Sequence, residues 1–204
     1  MPVEVVTGPA TEPVTLQEAK DHLRVEVSTD DTLIERLITD AREWAERYTR
    51  RALVTQTWRL WLGEFPDGDD GDEYLAMRLP GGKVQSVSSV KYTDTAGTLQ
   101  TLDAAKYSLS SRGPDAIAGL RPSYGNTWPA TRDEPDSVQI EYVVGYGAAA
   151  VVPSQIKQAI LLHVGWHYEH REPNTFGAIP AGAFDQVRAA LELKLVDLRQ
   201  FTFG

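Results

Sequence analysis

The spacing of apolar residues changes character twice along this chain, and those two changes limit its fold more than any single motif. Leu33, Ile34, Leu37, Ile38, Ala41, Trp44, Ala45 and Tyr48 recur at helical spacing. After Arg51 the pattern alternates, with Trp58, Leu60 and Leu62 on one side and Thr57, Arg59 and Trp61 on the other. Strand-like runs continue to Val138–Val144, and helical spacing returns at Ser154. Helices at both ends most simply pack on each other. The expectation is an α+β fold: a helical bundle formed by the N- and C-terminal helices, residues 1–53 and 148–204, with a β-rich insertion over 54–147.

Local signals refine this outline. Thr15-Leu-Gln-Glu18 is a capping box and predicts a helix from Leu16 to Leu23, and Ser28-Thr-Asp-Asp31 caps the long amphipathic helix that follows. Strands are expected over Leu75–Leu79, Val84–Tyr92, Leu99–Leu102 and Tyr107–Ser110, with a hairpin at Asp94-Thr-Ala-Gly97. The step from Val84 to Val87 breaks strict alternation. Pro153 and Ser154 open a third helix to about Arg171, apolar nearly all round, as suits a bundle interior or a subunit contact. Pro173 ends it, and Phe184, Val187, Leu191, Leu195 and Leu198 stripe the last helix.

Composition removes several classes of function. The 204 residues include no cysteine, which excludes disulfides, thiolate zinc sites and cysteine nucleophiles. A formal net charge of -9 argues against a chain that wraps nucleic acid, because phosphate binding draws on clustered Lys and Arg. Arg42, Arg47, Arg50 and Arg51 are read as the solvated end of a helix. The N-terminus lacks the pattern of a secretory signal, and no apolar run approaches the length a bilayer needs, so no membrane partner is expected.

Catalytic constellations are missing. His163, His167 and His170 fall on one helix face, a natural metal reading, but Val164, Gly165 and Trp166 supply no general base between the first two. Histidines satisfied by hydrogen bonds are the simpler reading. The acidic loop Asp67–Glu73 fails the calcium-loop spacing, with glycine at its fifth position. No nucleophile elbow or phosphate loop occurs. Tyr124 to Gly147, a Trp-Pro loop running into a strand, reads as a surface feature, and its Tyr124 and Trp128, like Trp58 and Trp61, read as core or interface anchors. No catalytic residue, metal or cofactor is expected.

The run Pro13-Val-Thr-Leu-Gln-Glu-Ala-Lys-Asp-His-Leu-Arg-Val25, then Asp30-Asp-Thr-Leu-Ile-Glu35, then Arg51-Ala-Leu-Val-Thr-Gln-Thr-Trp-Arg-Leu60 resembles the head-tail connector (head-completion or adaptor) proteins of tailed bacteriophages and prophages. Leu79-Pro, Val84-Gln-Ser-Val-Ser-Ser-Val-Lys-Tyr92, Pro153-Ser-Gln-Ile-Lys-Gln-Ala-Ile-Leu-Leu-His163 and Trp166-His-Tyr-Glu-His-Arg171 continue the likeness. The resemblance implies a structural virion protein without enzymatic activity. It would form a homo-oligomeric ring, twelvefold in the particle, below the portal protein, and present a platform to tail-side head-completion or tail terminator proteins. DNA would pass through without sequence-specific binding, past a wall whose negative charge lets it slide. The implied location is the head-tail interface of the virion, with assembly in the host cytoplasm. Leu195, Leu198, Phe201 and Phe203 are the implied portal-docking residues, and Tyr124, Trp128 and Trp166 the intersubunit or partner contacts. Minimal members of the wider group are all-helical, so the β block departs from them. The competing readings are a metal-dependent enzyme using the His163, His167 and His170 face, and a carbohydrate-binding module using the β-block tryptophans.

Overall fold

The computed structural model describes residues 2–66, 77–110, 118–170 and 183–199, apart from the side chains of residues 183 and 184. It is a mixed α and β structure whose described residues form four α-helices and antiparallel sheets. The chain divides into two compact units, Met1–Ala10 with Thr55–Tyr146 and Thr11–Val54 with Gly147–Gly204.

The first unit is built from strands. β1 (Val3–Thr7), β2 (Gln56–Leu62), β4 (Val84–Thr93), β5 (Leu99–Thr101) and β8 (Val138–Val144) form a five-stranded antiparallel sheet in the order β1-β2-β8-β4-β5. β3 (Met77–Leu79), β6 (Tyr107–Ser110) and β7 (Ala118–Pro122) form a three-stranded sheet in the order β3-β7-β6. β8 is central, and its alternation is clean: Val138, Ile140, Tyr142 and Val144 are all buried, with half-buried residues between them. The irregular step in β4 is real, because its register on β8 shifts twice, between Val84 and Ser86 and between Val87 and Ser89. The hairpin at Asp94 closes as expected, the Asp94 carboxylate accepting the backbone N–H groups of Ala96 and Thr98 at 3.0 and 2.9 Å.

Two strands carry no clear sequence signal. All five residues of β1 are exposed, so it forms through its backbone pairing with β2 and buries no stripe that periodicity could reveal. β7 reads Ala-Gly-Leu-Arg-Pro, a composition poor in β-formers, and is held by pairing on both sides. The acidic loop Asp67–Glu73 and Leu75 lie outside the described residues.

The second unit is helical. α1 (Leu16–Leu23) starts at the expected capping box, Glu18 N–H donating to Thr15 Oγ1 at 3.1 Å and Thr15 N–H to Glu18 Oε2 at 2.7 Å. α2 (Asp31–Thr49) buries Ile34, Ile38, Ala41 and Ala45. Asp30 stands at its N-cap without capping it. Its carboxylate instead accepts the Tyr168 hydroxyl of α3 (Ser154–Glu169) at 2.6 Å. Buried Lys20 reaches Asp31 at 2.6 Å and ties α1 to α2. α3 buries Ile156, Ala159, Ile160, His163 and Val164, while Leu162 stays 40% exposed, in keeping with apolar residues on more than one face. α4 (Ala183–Leu195) continues into a 3-10 turn at Val196–Leu198, and Tyr48 of α2 donates to its Glu192 carbonyl at 3.2 Å.

The arginine cluster is corrected at two of its four positions, since Arg47 and Arg50 are exposed as expected. Arg42 and Arg51 are buried. Arg42 points inward because Glu12 and Glu46 meet it at 2.8 and 2.7 Å. Burial by itself lowers the pKa of its guanidinium, but those two carboxylates outweigh that and raise it. Helical spacing alone does not reveal this, since one partner comes from outside the helix.

Candidate functional site

α2, α3 and α4 line a cavity of about 270 Å³ in the helical unit. Trp44, His163, Trp166 and His167 give it aromatic walls, and Val187, Arg188 and Leu191 of α4 close the remaining side. The walls are stacked: Trp44 lies on His163 with ring centroids 5.3 Å apart and on Tyr48 at 5.8 Å, and Trp166 lies on His170 at 3.8 Å. Helical spacing creates this arrangement, because i and i+4 residues share a face. It places Trp44 beside Tyr48, His163 beside His167 and Trp166 beside His170.

The three expected histidines do not act as one set. His163 and His167 are adjacent, with ring centroids 4.4 Å apart, and Asp40 of α2 joins them. One potential ligand atom from each of these three residues lies within 4.8 Å of the others. His170 is turned away. Its Nδ1 lies 2.9 Å from the Trp166 carbonyl and its ring stacks on the Trp166 indole. The competing three-histidine reading does not match the geometry, in which Asp40 and not His170 lies with His163 and His167. Asp40 carries no marker in the sequence, because an exposed carboxylate on an amphipathic helix looks like solvated surface.

His163 is buried and its Nδ1 has no hydrogen-bond partner. Burial pushes its pKa down to about 4, the neighbouring His167 adds to the depression, and Asp40 opposes it. The unfolded chain protonates near pH 6.5 while the folded chain holds a neutral ring, so stability falls as pH drops from about 6.5 toward 4. Discounted for partial solvent access, the expected loss is about 2 kcal/mol between pH 7 and pH 4.5. Urea denaturation of chelator-treated wild type and His163→Phe across that range reads this as a difference in slope. Equal slopes would rule it out.

The remaining site residues fall in both units. Tyr124 lies fully exposed in a turn of the β unit that closes through the Asn126 N–H donating to the Ser123 carbonyl at 2.9 Å. Trp128 is half-buried against Phe65, ring on ring at 4.7 Å and 3°, and its indole N–H has no partner. Trp58 packs over a turn of the same unit, and Trp61 lies under the Arg59 guanidinium at 5.7 Å. Trp166 belongs to the helical cavity. Leu195 is buried in the helical unit, Leu198 is half-buried, and Phe201 and Phe203 lie outside the described residues.

Comparison with known proteins adds a family signal. Residues 13–94 match the family model of the phage gp6-like head-tail connector protein. The connector match runs from the residue after Glu12 through α1, α2, β2, β3 and β4. Solved structures extend the likeness over the whole chain. A chain in the neck of an empty GTA particle with C6 symmetry covers 100% of this chain and 98% of its own length at 24% identity and TM-score 0.73. A chain in the virion of a native gene transfer agent (GTA) particle matches with the same values. A chain in the neck of a native GTA particle with C12 symmetry gives TM-score 0.71 at 24% identity. At this identity the likeness establishes the shared fold, β strands included. Comparison with curated protein sequences finds no match. No helix among the described residues is long and apolar enough to cross a membrane.

Proposed function

We propose that this chain is a non-enzymatic subunit of the ring that joins the DNA-filled head of a phage-like particle to its tail and extends the DNA channel. The observation that carries this reading is the superposition of the full chain on a neck component, supported by the connector match over residues 13–94. In this reading residues 1–53 and 148–204, apart from the N-terminal strand β1 that belongs to the β unit, supply the helical connector core, and residues 54–147 a β-rich insertion between them. The portal protein lies on one side of the ring and the tail-side completion or terminator proteins on the other. The particle's head-tail interface is the working location, reached from the host cytoplasm during assembly.

The C-terminal segment carries the portal contact. Leu195 anchors α4 from inside the helical unit, leaving Leu198, Phe201 and Phe203 as the docking residues beyond it. Tyr124, wholly exposed at a turn of the β unit, is suited to a neighbour or tail-side contact because no residue of its own unit covers it. Purified chain mixed with portal rings is expected to form stoichiometric complexes visible by electron microscopy and light scattering. Deleting Arg199–Gly204 should reduce that binding by at least about tenfold, the equivalent of one well-packed aromatic anchor. Portal rings that take up no wild-type chain would overturn the reading, and undiminished binding of the truncated chain would overturn the docking assignment.

A further inference from the structure

From the geometry of Asp40, His163 and His167 we infer a binding site for a divalent transition-metal ion of the zinc type, fixing α2 to α3. One potential ligand atom from each residue lies within 4.8 Å of the other two. Ligands of a tetrahedral zinc with bonds of about 2.0 Å stand about 3.3 Å apart. A modest inward rotation closes the difference, and the exposed Asp40 side chain on α2 has room to make it.

The donor chemistry is specific. Two imidazoles and one carboxylate suit zinc, cobalt or nickel rather than calcium or magnesium, which favour oxygen-only shells. His163 and His167 are one helical turn apart on α3, the spacing at which two ring nitrogens reach a common ion. The adjoining cavity of about 270 Å³, whose walls include both histidines, has room for a water as fourth ligand.

A second observation points the same way. His163 is 93% buried, and its Nδ1 has no hydrogen-bond partner. A buried nitrogen left without a partner is unfavourable. An ion held by this cluster would give the buried imidazole a bonded role, whether through Nδ1 or through a flipped ring. The intervening Val164, Gly165 and Trp166 provide no general base, so the role is a structural clip, independent of whether the chain serves as a connector.

The test uses the untagged full chain, stripped with chelator and titrated with Zn²⁺ by calorimetry and with Co²⁺ by absorption spectroscopy. One ion per chain is expected, with a dissociation constant below about 100 μM and a rise in melting temperature. His167→Gln and Asp40→Asn, both outside the buried core, should each weaken binding by at least about tenfold while keeping the helical circular dichroism. His170→Gln should bind like wild type. Absence of saturable binding, as when only water fills the cavity, overturns the inference. So does unchanged affinity in His167→Gln, or a loss confined to His170→Gln.

Discussion

Replacing Arg42 with methionine is expected to cost about 3 kcal/mol or more of folding stability, although methionine fills much of the same volume. The guanidinium is buried between Glu12 at 2.8 Å and Glu46 at 2.7 Å, with Glu43 at 3.5 Å on its outer side. Removing the cation leaves two carboxylates facing the space it filled, so the loss reflects uncompensated charge more than lost packing. The network also has an architectural consequence. Glu12 belongs to the segment leading into α1, and Glu46 accepts the Leu53 N–H at 2.9 Å as the chain leaves α2. Arg42 thus gathers the incoming and outgoing segments of the first helix pair at one point.

The partners should respond unequally. Glu12 is 30% exposed, so Glu12→Gln should cost about 1 kcal/mol or less. Glu46 is more buried and holds the backbone as well, so Glu46→Gln should fall between the two. Urea denaturation followed by far-UV circular dichroism orders the three variants. A loss below about 1 kcal/mol for Arg42→Met would mean that the ion pairs only balance their own desolvation.

The contrast between Arg42 and α1 shows which parts of this fold are legible in sequence. The capping box at Thr15 and Glu18 is local, its atoms lying within one helical turn, and the predicted helix appears with the predicted bounds. Val138 to Val144 is equally readable, because a central strand with one buried face records its burial as a period of two. β1 buries nothing and leaves no such record, and β7 depends on its neighbours against its own composition. The site was harder still. Two of its histidines were visible as an i, i+4 pair, but the packing of α2 on α3 decides that Asp40 joins them, while His170 meets Trp166 one turn back along its own helix. The same packing sends the Asp30 carboxylate to Tyr168 in place of its own helix N-terminus.

Gly81→Ala should destabilise the β unit by about 3 kcal/mol, a large effect for a single methyl group. Gly81 follows β3 in the turn that leads to β4, with φ +102°, a backbone conformation that residues with a Cβ rarely adopt. A Cβ there would lie 2.6 Å from Cζ3 and 2.9 Å from Cε3 of Trp58. The tryptophan has little freedom to retreat, because its Nε1 donates to Gln56 at 2.9 Å and it is the cross-strand partner of Tyr142. Tyr142 in turn donates its buried hydroxyl to the Pro80 carbonyl at 3.1 Å. The Trp58 and Tyr142 pair therefore grips consecutive residues of the turn that carries the chain from the three-stranded sheet to the five-stranded one. Two penalties are combined in Gly81→Ala, and a double-mutant cycle separates them. In a Trp58→Ala background the clash disappears and only the backbone strain of about 1–2 kcal/mol should remain. Thermal and urea unfolding of the four proteins in the cycle would measure the coupling. If Gly81→Ala costs as much without the tryptophan ring as with it, the close approach to Trp58 is not what reserves this position for glycine.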